Sequence, residues 1–206
     1  VDNDNQDGLR PAKITVNLYA NGEKVAHKDI TSETDWRETF TGLPEFKDGK
    51  KIVYTLQEEE VNNYSPSIDQ ESYTITNTHT PGKTTLSVTK QWDDQEDKDG
   101  LRPKSVKVQL YADGKKSGDV IELSAENKWT HTFEKLAEKA NGQEIHYSVK
   151  EVNVPEGYTV TEESKEKGDI VLTNTHTPGT VDIPVTKIWV DNDNQDGLRP
   201  AKITVN

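Results

Sequence analysis

LSVTKQW, residues Leu86 to Trp92, has the alternation of a strand but puts a lysine where that alternation calls for a hydrophobe. At a period of two, Leu86, Val88, Lys90 and Trp92 share one face while Ser87, Thr89 and Gln91 share the other, so Lys90 is directed at the core. The pattern returns near the C-terminus, where Val181, Ile183, Val185, Lys187 and Trp189 share a face. Two more polar residues interrupt apolar faces. Ile170, Leu172 and Asn174 share a face in DIVLTNT, and Tyr147, Val149 and Glu151 share one in HYSVKEV. The same two patterns occur earlier as Tyr73, Ile75, Asn77 and as Tyr54, Leu56, Glu58.

A buried, unpaired ammonium would cost several kcal/mol, so an inward lysine must be paired, be neutral or have reacted. The residues alone leave two readings open: an ordinary buried ion pair beside a hydrogen-bonded asparagine, or a reactive triad.

With 206 residues, 30% hydrophobic content, 9 prolines and 13 glycines, the chain suggests one or two small domains with lean cores, neither of enzyme size. The net charge of -12 argues against nucleic acid or an anionic membrane surface as partner. There is no cysteine, so neither disulfides nor thiolate metal sites can staple these units. No apolar run approaches the roughly 20 residues that span a bilayer, and no signal-peptide pattern opens the chain. The sequence reads as an interior segment, with no membrane insertion expected.

Repetition dominates the organisation. Asp7-Gly-Leu-Arg-Pro11 recurs as Asp99-Gly-Leu-Arg-Pro103, Leu18-Tyr-Ala20 as Leu110-Tyr-Ala112, and Thr76-Asn-Thr-His-Thr-Pro-Gly82 as Thr173-Asn-Thr-His-Thr-Pro-Gly179. VDNDNQDGLRPAKITVN, Val1 to Asn17, returns letter for letter as Val190 to Asn206. These repeats divide the chain into residues 1–82, a domain lacking its first strand; residues 83–178, a complete domain; and residues 179–206, the first strands of a further domain. In the complete domain seven strands are expected near residues 84–92, 104–112, 117–123, 128–133, 144–152, 157–162 and 168–175. Asp-Gly at 99 and 113, Asn-Gly at 141 and Pro-Glu-Gly at 155–157 separate them, at spacings that predict an all-β sandwich of antiparallel sheets. Leu136 to Asn141 is expected to form a short turn.

VTKQW followed by DDQEDKDGLRP, VQLYADG, WTHTF, YSVKE and LTNTHTP resembles the B-type repeat domain of Gram-positive surface adhesins and pilins, the collagen-adhesin B domain. The resemblance covers essentially the whole chain. It implies tandem inverse immunoglobulin-like β-sandwiches, each with an intramolecular Lys-Asn isopeptide bond, secreted and held at the cell wall. It assigns the cross-link to Lys90 and Asn174 and the assisting carboxyl to Glu151. In the first domain it assigns Asn77 and Glu58, whose matching lysine by sequence is Lys187, at the start of the next repeat.

That chemistry needs these residues in a buried place. Desolvation disfavours both charged forms, so Lys90 can present a neutral, nucleophilic amine and Glu151 a protonated carboxyl that polarises the Asn174 carbonyl and relays protons as ammonia leaves. A fixed near-attack geometry can be worth roughly 7 to 11 kcal/mol of barrier. Each domain reacts once, so this is autocatalytic maturation and not enzymatic turnover. The bond closes a loop of about 85 residues, worth about 4 to 5 kcal/mol in the chain-entropy model for disulfides.

No cofactor and no metal is expected. The acidic loops resemble calcium loops only in part: Asn3, Asn5, Asp7, Gly8 has Ile14 where a bidentate glutamate belongs, and Gln95, Asp97, Asp99, Gly100 has Val106. His79 and His176 have no nearby ligand set and are read as capping the domain junctions. Short linkers with Thr-Pro-Gly and no Gly/Ser run predict a semi-rigid array. Three function classes follow: a stalk projecting a separate ligand-binding head, a matrix-protein-binding module or pilin-type shaft domain, and, least supported, a turnover enzyme. Partners are neighbouring repeats of the same protein. The broken register leaves two alternatives, head-to-tail strand exchange in which Lys187 of one copy meets Asn77 of another, or a longer array whose preceding repeat supplies the strand.

Overall fold

The computed structural model describes residues 2–164 and 168–205. Val1 and Asn206, outer ends of the repeated stretch, lie outside the described residues. The second domain is a sandwich of two sheets. One sheet has the order β10-β9-β14, from β9 (Ser105–Ala112), β10 (Lys115–Ser124) and β14 (Tyr147–Glu151). The other has the order β11-β8-β16-β15, from β8 (Lys83–Asp93), β11 (Thr130–Ala137), β15 (Thr159–Ser164) and β16 (Ile170–Thr175). Leu86, Val88, Ile170 and Leu172 from one sheet meet Val106, Val108, Leu110, Leu123 and Val149 from the other in a single core. These are the alternate positions of each strand, so the period-two pattern chooses the buried face. All seven expected strands are present, each within a few residues of its expected bounds.

β8 and β16 run parallel, with Leu172 opposite Lys90 and Asn174 opposite Trp92. The first and last strands of the domain are therefore neighbours, which fixes where the inward polar residues meet. The stretch Leu136 to Asn141 departs from expectation: Leu136 and Ala137 continue β11 opposite β8, and Lys139–Ala140 (β12) pairs with Gln143–Glu144 (β13) around Asn141 and Gly142. Both central residues have positive φ, the backbone an Asn-Gly hairpin needs.

The first domain repeats half of this plan. β1 (Lys13–Ala20) lies between β2 (Glu23–Thr31) and β5 (Tyr54–Glu58), and β6 (Ser65–Asp69) pairs with β7 (Thr74–Thr78). A small hairpin joins β3 (Phe46–Lys47) to β4 (Lys50–Lys51), and Ser32–Thr34 is a single 3-10 turn. Among the described residues, its buried cluster is Val16, Leu18 and Leu56. WRETF, residues 36–40, carries no strand, whereas its counterpart WTHTF, residues 129–133, leads into β11 against β8. The same pattern without a partner leaves backbone groups unpaired, so it does not become a strand. Residues 179–205, expected as the first strands of a further domain, likewise have no strand pairing among the described residues, and for the same reason. Among the described residues no helix is long and apolar enough to cross a membrane.

Candidate cross-linking site

The strand phase that turns Lys90 inward is realised: Lys90 is 3% exposed and Asn174 fully buried. Lys90 Nζ donates to Gln91 O at 2.7 Å and to Leu172 O at 3.3 Å. A neutral amine has two N–H bonds, so this pattern uses both and leaves the lone pair available. Burial pushes the lysine down to about 8, Arg102 adding to the shift while Glu151 and Asp94 oppose it.

Asn174 Nδ2 donates to Glu151 Oε1 at 3.1 Å. Burial pushes the Glu151 carboxyl up, against the opposing effects of that hydrogen bond and of the Lys90 charge. Glu151 Oε2 and Asn174 Oδ1 are both buried without a hydrogen-bond partner. When the carboxyl is protonated, Oε2 becomes a donor and Oδ1 is the acceptor that lacks one. The two orphaned atoms are thus complementary in the protonated state and unsatisfied in the ionised one.

The first domain carries two thirds of the same arrangement. Asn77 Nδ2 donates to Glu58 Oε1 at 2.8 Å, and burial again raises the carboxyl. Lys187 is not brought to this pair. It is exposed, its Nζ donating to Ile188 O at 2.7 Å and lying 4.2 Å from the centre of the Trp189 ring.

The sequence reading missed a second buried cluster beside Lys90. Asp94, 1% exposed, takes Arg102 Nε at 2.9 Å, a second Arg102 bond through Nη2, and the Tyr158 hydroxyl at 2.8 Å. Those donors hold the Asp94 carboxyl far below the carboxylate range. The Arg102 guanidinium lies 5.5 Å from the centre of the Trp92 ring, and Lys90 Nζ 4.2 Å from it. Trp92 is edge-on to Trp129 and Tyr158 as well. The signal was an aspartate eight residues before an arginine, present three times: Asp2 binds Arg10 and Tyr64, and Asp191 binds Arg199, in the same manner.

The histidines cap the linkers as the sequence suggests, through the acidic loops. His79 Nε2 lies 2.9 Å from Asp7 Oδ2 and its Nδ1 2.9 Å from Asn63 O, while Gly82 N donates to the same carboxylate. His176 repeats this with Asp99, Gly157 O and Gly179 N. A carbonyl on one ring nitrogen and a carboxylate on the other suit the doubly protonated ring, and both histidines are shifted up accordingly. At the first junction Gly142 N also donates to Gln6 O at 3.0 Å. Gly8 there approaches Gly142 so closely that a Cβ on Gly8 would lie 2.6 Å from the Gly142 Cα.

A family model described as the Cna protein B-type domain matches residues 1–78, 86–175 and 183–206. The collagen adhesin of Staphylococcus aureus is 49% identical over 205 residues, covering all of this chain, which spans 17% of that protein's length. Two crystal structures from S. aureus are similar. Two B repeat units (B1B2) of its collagen-binding protein match at 48% identity and a TM-score of 0.53, covering 97% of this chain and 53% of that one. A single B repeat unit (B1) matches at 48% identity and a TM-score of 0.46, covering 86% of this chain and 94% of that one.

Proposed function

The chain belongs to the Cna protein B-type domain family, and on that premise we propose that it is a stalk repeat of a secreted, cell-wall-anchored Gram-positive adhesin, its domains locked by self-formed Lys-Asn isopeptide bonds. The observation that carries this reading is the buried cluster of Lys90, Glu151 and Asn174 where the first strand meets the last.

In the reaction the neutral Lys90 Nζ adds to Asn174 Cγ while Glu151, protonated, donates to Oδ1 and stabilises the developing oxyanion. Glu151 then carries a proton from Nζ to Nδ2, the Cγ–Nδ2 bond breaks and ammonia leaves. One C–N bond forms and one breaks, and the carboxyl ends in the state in which it began. The opposed shifts of Lys90 and Glu151 favour the neutral pair that this sequence requires. A turnover enzyme is not part of the proposal, since the product remains in the core.

The strand arrangement gives the bond a mechanical role. Tension enters the complete domain at the start of β8 and leaves at the end of β16, and these strands are parallel neighbours. A bond from Lys90 to Asn174 carries that load directly, so residues 91–173 are bypassed. Such a stalk would project a separate ligand-binding head.

Intact-mass measurement with a peptide map tests the reading. The complete domain should be lighter by one ammonia and yield a branched peptide joining Lys90 to Asn174. An unmodified mass for folded protein would overturn it. Saturable tight binding of the chain to immobilised collagen would instead favour a binding module.

A further inference from the structure

Ala-Asn-Gly occurs twice, as residues 20–22 and 140–142, each time at the tip of a hairpin. Asparagine before glycine is a labile pair, because no side chain screens the glycine nitrogen from the asparagine Cγ. The two tips are held in different ways. Asn21 is tied within its own domain: its Oδ1 accepts from Val53 N at 2.9 Å, and its own N donates to Val53 O at 2.9 Å. The counterpart of this tip in the second domain is Asp113-Gly114, where Asp113 Oδ1 accepts from His146 N at 2.9 Å, so a carboxylate fits there as an amide does. At the other tip Asn141 is exposed, and what is held is the glycine nitrogen, by the neighbouring domain. Gly142 N donates to Gln6 O at 3.0 Å, and a Cβ on Gly142 would lie 3.2 Å from Gly8 Cα and 3.7 Å from Asp7 O. Glu138 N donates to Gly82 O at 3.2 Å beside this contact, and the Asp7 carboxylate holds His79 and Gly82 N.

We propose that Asn141-Gly142 is a site of spontaneous deamidation, that the docked domain junction guards it, and that its conversion unlocks the junction. In the first step Gly142 N gives up its proton and bonds to Asn141 Cγ, the Cγ–Nδ2 bond breaks, and ammonia leaves with that proton. The product is a cyclic imide. Solvent water then opens the ring, at Cγ to give aspartate or at the main-chain carbonyl to give isoaspartate. While the domains are docked, the Gly142 N–H is given to Gln6 O and the Gly142 main chain abuts Gly8, so both the loss of the proton and the rotation that closes the ring are opposed. A local opening of the junction releases both.

The isoaspartate product routes the main chain through Cβ and Cγ, one carbon longer than before, and leaves a carboxylate at the former Asn141 carbonyl carbon. That carbon lies 3.8 Å from the place of a Gly8 Cβ, beside the Asp7-Gly8 peptide, where the two main chains already touch. A longer, charged turn does not fit that contact. Conversion is therefore a one-way softening of the junction between residues 1–82 and 83–178, and it is independent of the Lys90 chemistry. Asn21, held through its own side chain, is the internal comparison.

Peptide mapping of the full chain during weeks at neutral pH and body temperature reads both sites by the mass gained when an amide becomes a carboxyl. A short peptide of residues 138–145 is the unguarded reference. In the wild type both asparagines should convert more slowly than that peptide. G8A, whose Cβ would lie 2.6 Å from Gly142 Cα, should raise the Asn141 rate about tenfold, the change in open fraction that one backbone hydrogen bond supports, and leave Asn21 unchanged. If Asn21 accelerates as well, G8A has disturbed the fold, and D7N, which acts through the hold on His79 and Gly82, takes its place in the same comparison. Asn141 converting in the wild type as fast as the peptide, or no faster in a junction variant whose Asn21 is unchanged, overturns the guard. The isoaspartate form, separated from the aged chain, should exchange its Gly142 amide faster and have a larger radius of gyration by small-angle scattering. A Gly142 amide as protected as in the fresh chain overturns the unlocking.

Discussion

Replacing Lys90 by methionine tests the two readings of the inward lysine when melting is read beside intact mass. If Lys90 stays unbonded, it is a desolvated amine whose burial pushes it down to about 8, and an apolar side chain of similar length removes that penalty. It also leaves Glu151 without its charge partner, and breaking a buried pair by removing one member costs about 3–5 kcal/mol, so K90M is destabilising in this reading as well. If Lys90 is bonded to Asn174, K90M opens a closed loop of about 85 residues, and the chain-entropy relation gives a loss of about 4.5 kcal/mol. At about 4–8 °C per kcal/mol for a domain of this size, melting should fall by about 18–36 °C. The two losses are of similar size, so the intact mass of the wild type decides between them. Calorimetry of wild type and K90M, each with its intact mass, is the assay, and the transition to follow is that of residues 83–178. Melting of K90M at or above the wild-type temperature would refute the cross-link.

E151A should fold, keep its unmodified mass and melt near K90M, and the double variant should melt with K90M, because both changes act through one bond. D94N breaks a buried pair and should cost about 3 kcal/mol by denaturant unfolding, the low end of the range for such pairs because Arg102 keeps partial contact with water. The junction latches should be pH-dependent. His79 and His176 are raised above 6.5, so their contribution is complete below that value and is lost as pH rises through the raised folded one. Asp7 and Asp99 are lowered below 3.8, so theirs is present above that value and is lost as pH falls through the lowered one. Imidazole resonances followed by NMR from pH 3 to 9 should show both His values above the unfolded reference, and D7N should return only His79 toward it.

The strand-borne part of the site was legible because a strand converts sequence parity into direction. Once Leu86 and Val88 are inside, Lys90 has to be inside too, and the same reasoning places Glu151 after Val149 and Asn174 after Leu172. Parity says nothing about loops, and Asp94 and Arg102 lie beyond the end of β8, so their pairing was invisible to it. Only the threefold recurrence of that spacing carried the information. Strand formation itself was legible where a partner exists and not where it does not. WTHTF leads into a strand and WRETF does not, although they differ at two of five positions, because β8 lies beside one and not the other.

The missed cluster bears on the chemistry of the one foreseen. Arg102 would be an unwelcome neighbour for a lysine meant to stay charged, since it pushes Lys90 further down, in the direction of the neutral amine. It can be held there because Asp94 accepts from its Nε and Nη2, and the Tyr158 hydroxyl donates to the same carboxylate. Lys90 Nζ and the Arg102 guanidinium both lie over the Trp92 ring, whose π face tolerates both. The acidic loop after β8 therefore does more than connect strands. It places beside Lys90 both Arg102, which lowers the lysine, and Asp94, which opposes that effect, and the aspartate–arginine pairing itself recurs as Asp2 with Arg10 and as Asp191 with Arg199.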